Sequence, residues 1–339
     1  MISRSALTAV PFVLALAAAC GGSEQPAAAP PPPLPPPAEP PSTLATPQAS
    51  ASAQPAPAPA AAPAPPASTP VWRVADGIAT PESVLYDATA DRYLVSNING
   101  SPSSVDNNGY ITEISGDGKV TKPKFIEGGV GKVKLDAPKG SAIAGGVFYV
   151  SDITFVRKFD AKTGAPKGEI AVKDAVFLND LAIAPDGRIF VSDSGMKAGE
   201  KGLEPVGGDA VYVIDKAGKV KPIAKMKELG NPNGLVLQDK KLIVNALGSD
   251  QVYVLSDKGE MQEVTHLPKG GLDGMLLVGD SLLVSSWAGS AVYRGELGST
   301  FEPVIQGVNG PADIGYDTKR NRVLVPRFTD NAVEAYDLK

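Results

Sequence analysis

Six segments of this chain repeat one pattern, in which a short polar turn leads into an apolar strand and then into a second, β-rich strand. One unit covers residues 178–193 and contains Asp186-Gly187, a favoured hairpin turn between strands. The six units have the anchor residues Glu82, Gly140, Asp180, Gly234, Gly274 and Asp313. Repetition of this kind predicts a closed array of similar sheets.

The spacing of the anchors indicates the architecture. Three steps are close to 40 residues and two are on the order of 55, whereas a four-stranded propeller blade needs about 40 to 45. The longer steps are interpreted as blades with insertions, one of them a predicted loop over residues 195–208. We therefore predict an all-β, six-bladed β-propeller over residues 71–339. Residues 71–74 should pair with the last blade near Tyr336 and close the ring.

Residues 1–70 have a different character. Arg4 precedes an apolar stretch over residues 6–19 that is too short to span a bilayer, and Ala17-Ala18-Ala19 stand directly before Cys20. This arrangement resembles a bacterial lipoprotein signal. It predicts a signal peptide over residues 1–19 and lipidation of Cys20, the alternative being an ordinary signal peptide with a free cysteine.

Residues 20–70 are expected to form a disordered Ala/Pro-rich linker after the lipidated cysteine. At roughly 3.1 Å per residue, an extended linker could hold the propeller on the order of 100 Å from a membrane. A partner that recognises proline-rich segments is the alternative role. Gly21 and Gly22, rather than Asp, follow Cys20. We therefore expect a lipid-anchored protein of the bacterial cell envelope, at the outer membrane and facing the periplasm, with no other membrane contact.

Composition excludes several functions. The formal net charge is −5 and no basic run is present, which argues against a nucleic-acid partner. Cys20 is the only cysteine and His266 the only histidine, so an intrachain disulfide and a His/Cys zinc site are excluded. We interpret His266 as a residue of an inter-blade loop, and no Gly-x-Ser-x-Gly motif accompanies it. The propeller is expected to be monomeric.

Oxygen donors remain as candidate ligands. They stand at the starts of the predicted inner strands, which line the axis of a propeller, and they are Glu82, Asn179, Asn233 and Asp273. Oxygen ligands favour hard divalent cations, Ca²⁺ above all. The alternative is that these residues only form turns, since Asn-Gly and Asp-Gly pairs tolerate positive φ.

Three motifs after Glu82, namely Asn179-Asp180, 231–234 and Asp273-Gly274-Met275, resemble the regucalcin/gluconolactonase family of six-bladed propellers. The resemblance implies that Glu82, Asn233 and Asp273 bind a divalent metal, commonly Ca²⁺, with Mg²⁺, Mn²⁺ and Zn²⁺ left open. It places Asn179 beside the metal on the substrate side. It further implies hydrolysis of a small-molecule lactone or related ester, with Asp273 also acting as general base.

Two departures from the family pattern bear on function. Phe177 stands where the family often has arginine, so we expect Phe177 to contact the substrate and to favour one less polar than a sugar lactone. Residues 311–317 resemble NHL-type repeats, which leaves a non-catalytic NHL-like binding module as the alternative function. Asp180 and Asp313 are candidates to support the metal ligands from behind, or else to cap turns.

Overall fold

The computed structural model describes residues 67–339, apart from residue 201. Over this range the chain forms six four-stranded antiparallel sheets and one separate two-stranded hairpin. The prediction of a six-bladed β-propeller is thereby confirmed. The predicted signal peptide over residues 1–19, the lipidation of Cys20 and the linker as far as residue 66 lie outside the described residues.

The first half of the chain forms three blades. Strand β1 is Trp72–Val74, and blade one consists of β2 Pro81–Asp87, β3 Arg92–Asn97, β4 Tyr110–Ser115 and β5 Val120–Glu127. Blade two consists of β6 Pro138–Ala144, β7 Val147–Asp152, β8 Phe155–Asp160 and β9 Pro166–Ala171. Blade three consists of β10 Leu178–Ile183, β11 Ile189–Asp193 and, after the hairpin strands β12 Met196–Gly199 and β13 Gly202–Pro205, β14 Ala210–Ile214 and β15 Val220–Lys225.

The second half forms the other three blades. Blade four consists of β16 Pro232–Gln238, β17 Lys241–Ala246, β18 Gln251–Leu255 and β19 Met261–His266. Blade five consists of β20 Leu272–Val278, β21 Ser281–Ser286, β22 Ala291–Gly295 and β23 Glu302–Gln306. Blade six consists of β24 Gly315–Asp317, β25 Arg322–Arg327, β26 Ala332–Asp337 and the early strand β1.

Pairing of β1 with β26 closes the ring, as the sequence predicts. Trp72 lies opposite Ala335, and Arg73 lies opposite Glu334, with which it also forms an ion pair. Contacts of the N-terminal segment begin slightly before residue 71, because the Ser68 backbone N–H donates to the Gln306 carbonyl at 2.9 Å. Both ends of the propeller are therefore held by hydrogen bonds to other parts of the sheet array.

The core lies between the faces of neighbouring blades. Phe190 and Val211 of blade three, for example, form one buried cluster with Val244 and Tyr253 of blade four. These residues are β-branched or aromatic and suit a pleated, buried surface. Complete burial of one such side chain stabilises the fold by roughly 1.5–3 kcal/mol. Similar clusters recur around the ring and hold the inner strands in fixed positions.

The insertion in blade three differs from the prediction. Residues 195–208 were expected to be a loop, but they contain the hairpin β12–β13, in which Met196 lies opposite Pro205. The prediction was wrong because the segment is rich in Gly and Lys and lacks the alternation of apolar and polar residues that indicates a strand. Backbone pairing, rather than side-chain burial, defines this hairpin.

Helical structure is limited to two short 3₁₀ helices within the described part of the chain, Lys227–Leu229 and Phe328–Asp330. Over residues 67–339, leaving aside residue 201, we find no helix with the length and hydropathy that a bilayer span requires. His266 is the last residue of β19 and not part of an inter-blade loop, which corrects the interpretation from sequence. Its Nδ1 lies 2.9 Å from Asp250 Oδ1 at the surface.

Candidate functional site

The innermost strands of the blades place one residue each toward the axis at the same register. In each of the first five blades the second residue of the inner strand occupies this register, next to a register break between the first and second strands. Such β-bulges bend the strand and redirect its side chains. We call the set of residues at this register the axial ring: Glu82, Lys139, Asn179, Asn233, Asp273 and, in blade six, Ala312.

The ring corrects one detail of the predicted repeat. Gly140 was taken as the counterpart of Glu82, but Gly140 stands one position later, in the same register as the other four anchors, and lies beside Asp180. A Cβ atom at Gly140 would lie 2.2 Å from Asp180 Oδ1, so glycine is needed there for close approach of two inner strands. The true counterpart of Glu82 in blade two is Lys139, which was not among the predicted site residues.

The four predicted oxygen donors come together as expected. Glu82, Asn179, Asn233 and Asp273 line one cavity of about 520 Å³ that opens at the end of the channel where the inner strands begin. Asn233 Nδ2 donates to Asp273 Oδ1 at 3.1 Å, and Asn179 Nδ2 donates to Ser194 Oγ at 3.0 Å. Each amide nitrogen is therefore engaged, which leaves the amide oxygen free to accept.

Three buried oxygens of this ring lack a partner. Among residues 67–339, residue 201 aside, no donor satisfies Glu82 Oε2, Asn179 Oδ1 or Asn233 Oδ1. Buried polar atoms are nearly always hydrogen-bonded, because an unsatisfied one costs about 1–3 kcal/mol. Three such oxygens in a single cavity indicate a site built for a cation or a donor that comes from outside the chain.

The carboxyl groups of the ring are affected by burial. Burial raises the pKa of Asp273 to about 7, although hydrogen bonds from Trp287 and Asn233 oppose the rise. Burial, and next the charge of Asp273, also raise the pKa of Glu82 well above its usual range. A raised carboxyl pKa means that the charged form lacks compensating positive charge. A cation in the ring would supply it.

Asp180 and Asp313 each stand one position after the ring residue of their blade, Asp180 within β10 and Asp313 before the start of β24. Asp180 Oδ2 accepts from the Leu235 backbone N–H at 2.7 Å and Oδ1 accepts from the Leu181 N–H at 2.6 Å. Both residues line a separate cavity at the opposite end of the channel, of about 360 Å³. Burial raises the pKa of Asp180 to about 7 and that of Asp313 well above its usual range. Both side chains therefore lie near the axis, on the side of the ring opposite the 520 Å³ cavity.

Lys139 is the only ring residue with a positive charge, and its side chain is buried. Its Nζ donates to the Ala137 carbonyl at 3.0 Å and lies 4.2 Å from the centroid of the Phe177 ring. Burial lowers the pKa of Lys139 to about 8, while the charge of Glu82 opposes that change. The positive charge that an arginine would provide at position 177 is thus provided next to Phe177 by Lys139 of the neighbouring blade.

The walls of the cavity above the ring are apolar. Phe177 lines this cavity and is buried, and Trp287 packs against Phe328 with ring centroids 5.3 Å apart. Trp287 Nε1 also donates to Asp273 Oδ2 at 2.8 Å. The hairpin β12–β13 contributes Leu203 to the wall. Its Ala198 N–H donates to Ser103 Oγ at 3.0 Å, which joins the hairpin to the loop between β3 and β4.

Trp287 and Phe328 were not predicted as site residues. Each directly follows the second strand of its blade, and two further wall residues, Ile98 and Leu247, stand at the same place in their blades. Alignment of the repeats at the ends of the second strands would have identified this set. In the described ranges, no group of three or more His, Cys, Asp or Glu side chains is arranged to hold a metal ion. A metal here would depend on the asparagine oxygens.

No protein-family model matches the sequence, and no curated protein matches it significantly. Solved structures are similar to it in fold. A gluconolactonase from Xanthomonas campestris is 18% identical, with 76% of this chain and 86% of that chain covered and a TM-score of 0.58. A luciferin-regenerating enzyme is 16% identical, with 74% and 84% covered and a TM-score of 0.54.

A chain of a nidogen/laminin complex is also similar, at 16% identity, with 64% of this chain and 76% of that chain covered and a TM-score of 0.51. At such identities the likeness establishes the fold, and fold alone does not determine function. The protein is therefore a six-bladed propeller whose structural neighbours include gluconolactonase-like proteins.

Proposed function

We propose that this protein is a metal-dependent hydrolase of lactones or related esters and that the axial ring holds the metal ion. The observation that carries the proposal is the set of three buried oxygens in one cavity for which the described residues offer no donor. The similarity in fold to a gluconolactonase supports the same reading.

The donor set fits a hard cation. Two carboxylates and two amide oxygens are available, from Glu82, Asn179, Asn233 and Asp273. Ca²⁺ accepts about 6–8 oxygen ligands, so this set leaves positions for water and substrate. Mg²⁺ and Mn²⁺ also accept such ligands, whereas Zn²⁺ usually takes the His and Cys ligands that the ring lacks. Ca²⁺ is therefore the first ion to test.

When bound, the ion supplies Lewis acidity that polarises the lactone carbonyl and neutralises charge on its oxygen. Asp273 is oriented by Trp287 Nε1 and Asn233 Nδ2, which donate to its two carboxylate oxygens at 2.8 and 3.1 Å, and a carboxylate held in this way is placed to accept a proton. We assign Asp273 as the general base that takes a proton from water. The water oxygen bonds to the carbonyl carbon, the bond from that carbon to the ring oxygen breaks, and the proton on Asp273 passes to the departing oxygen. The product is a hydroxy acid.

The cavity walls bear on the substrate. Apolar side chains surround the cavity above the ring, among them Phe177, Leu203 and Trp287. We propose a substrate with an apolar body rather than a sugar lactone. Native protein and Phe177→Arg should therefore differ in their preference between an alkyl-substituted lactone and gluconolactone. Equal activities of both proteins on both substrates would remove this part of the proposal.

The proposal can be tested with Asp273→Asn, which keeps the shape of the side chain and removes the base. Lactone hydrolysis should depend on added Ca²⁺ and should fall by at least about 100-fold in the variant, the usual scale for loss of a general base. Asp280→Asn is the matched control, because Asp280 is exposed at the turn between β20 and β21. Retained turnover in Asp273→Asn would end this mechanism. Ca²⁺ binding without turnover on a broad panel of lactones and esters would favour the binding module.

We also propose that the protein is held at the bacterial envelope by lipid on Cys20. The support is the sequence Ala17-Ala18-Ala19-Cys20 after an apolar stretch, together with the Ala/Pro-rich segment that follows. Labelling of cells with a clickable fatty acid should mark the native protein and not Cys20→Ser. Equal labelling of the two would contradict the proposal.

A further inference from the structure

Lys139 belongs to the axial ring but has no part in the mechanism above. It is the second residue of β6, and its side chain is only 1% exposed. Lysine is rarely buried without an acidic partner, because removal of an ammonium group from water is costly. Within the described residues, no carboxylate lies within ion-pair distance of Lys139 Nζ. The charges of Glu82, Asp152, Asp193 and Asp136 act on the ammonium from a greater distance, so it has compensation nearby but no direct carboxylate partner.

The Lys139 ammonium contacts residues that precede the ring rather than the oxygens of the ring itself. Its Nζ lies 3.0 Å from the Ala137 carbonyl oxygen and 4.2 Å from the Phe177 ring centroid. Ala137 and Phe177 each precede their ring residue by two positions, on adjacent blades. The ammonium group therefore lies beside Phe177 in the wall of the same cavity, and it does not occupy the place of the metal.

The contacts of the ammonium group leave donors unused. An ammonium carries three N–H donors, and in the described part of the chain Lys139 uses one of them, to Ala137 O. The face of Phe177 offers an attractive but weaker contact for a second. The surrounding walls are apolar and screen charge poorly, so an anionic ligand would be bound more strongly here than at an exposed lysine.

We propose that Lys139 determines specificity by binding a carboxylate group of the substrate, while the ring oxygens face the lactone group. This inference rests on the proposed function and identifies its substrate class as a lactone with an apolar body and one anionic substituent. Two nearby features favour a single carboxylate over a polyol: the ammonium is the one cation lining this cavity among the described residues, and Phe177 covers its other side.

The test compares two γ-lactones that differ in one group, one with a carboxylate on its ring and the other with a carboxamide in its place. Native protein should prefer the carboxylate by at least about 10-fold in kcat/KM, the scale of one hydrogen bond between charged groups. Lys139→Gln retains a donor for Ala137 O but has no charge. It should lose roughly 10- to 100-fold on the carboxylate, mainly through KM, and less than about 3-fold on the carboxamide. Lys162→Met, at an exposed lysine, should change neither.

Several outcomes would overturn the inference. One is a native protein with no preference between the two lactones, which decides the matter even if Lys139→Gln does not fold. Another is an equal loss on both lactones, which would indicate a merely structural role. Lys139→Arg should restore part of the preference, because it restores the charge.

A binding measurement separates this inference from the proposed function. The hydroxy dicarboxylate formed by opening of the first lactone is titrated into the full-length native protein and into Lys139→Gln by calorimetry, with Ca²⁺ present. Binding to the native protein that weakens at least about 10-fold in the variant supports the role of Lys139 even if no lactone is hydrolysed. Absent binding, or equal binding to both proteins, overturns it.

Discussion

Trp287→Phe isolates one hydrogen bond of the site. The change removes the indole N–H that donates to Asp273 Oδ2 at 2.8 Å but keeps an aromatic ring next to Phe328. A hydrogen bond to a charged group contributes about 1.5–3 kcal/mol, and about 1.4 kcal/mol corresponds to one pH unit in pKa. The pKa of Asp273, about 7 in the native protein, should therefore rise to roughly 8–9.

The consequence should appear in metal binding as a function of pH. At pH 7 about half of Asp273 is ionised in the native protein, against roughly 1–10% in the variant, so its apparent Ca²⁺ affinity should fall by roughly 5- to 50-fold. The affinity should recover at about pH 9–10, where Asp273 is ionised in both proteins. Calorimetric titration with Ca²⁺ across this range measures both effects.

The second tryptophan provides the matched control. Trp72 is in β1, packs against Tyr93, and has a buried Nε1 for which the described residues provide no acceptor. Trp72→Phe therefore removes an indole N–H without the loss of a hydrogen bond and should leave Ca²⁺ affinity unchanged at every pH. A loss of affinity in Trp287→Phe that does not depend on pH, or the same loss in Trp72→Phe, would refute this reasoning.

Three further predictions concern stability and access to the site. In the presence of a chelator, the melting temperature should fall as the pH rises from about 4 to about 8, because a carboxyl pKa that is raised in the folded state gives stability at low pH that is lost on ionisation. Added Ca²⁺ should restore the melting temperature. Asp180→Asn, which removes a group with a pKa of about 7, should make the melting temperature depend less on pH. Leu203→Asp should raise KM for alkyl-substituted lactones with kcat little changed, since Leu203 lines the outer wall; an unchanged KM would exclude the hairpin from substrate binding. Deletion of residues 67–74 should expose the edge of β26 and lower the urea midpoint of unfolding; an unchanged midpoint would show that ring closure contributes nothing.

The blade count and the positions of the four oxygen donors were predictable because both depend on local periodicity. Each inner strand begins with a short polar turn, and a propeller places equal registers at one axis, so Glu82, Asn179, Asn233 and Asp273 had to converge once six units were recognised. The pairing of β1 with β26 followed in the same way, since a ring of six sheets needs a final strand at its closure.

Lys139 was not predicted because candidates at the starts of the inner strands were selected as oxygen donors for a metal, and lysine is not such a donor. In the first five blades, the β-bulge next to the ring residue shifts the pairing register of the first two strands of the blade. The glycine that follows the ring residue in blade two, Gly140, allows a close approach of neighbouring inner strands and is not itself part of the ring. The hairpin β12–β13 was missed for another reason, since its strands bury little and show no alternation. Partners such as Trp287 with Asp273 depend on tertiary geometry that no local pattern contains.

A crystal structure of the protein grown with Ca²⁺ tests the axial ring most directly. We expect one ion in contact with oxygens of Glu82, Asn179, Asn233 and Asp273 at about 2.3–2.6 Å, the usual Ca²⁺–oxygen range. The same crystal form of Glu82→Gln with Asp273→Asn should lack it. An ion bound elsewhere, or a ring occupied only by water at millimolar Ca²⁺, would contradict the assignment of this ring as a metal site.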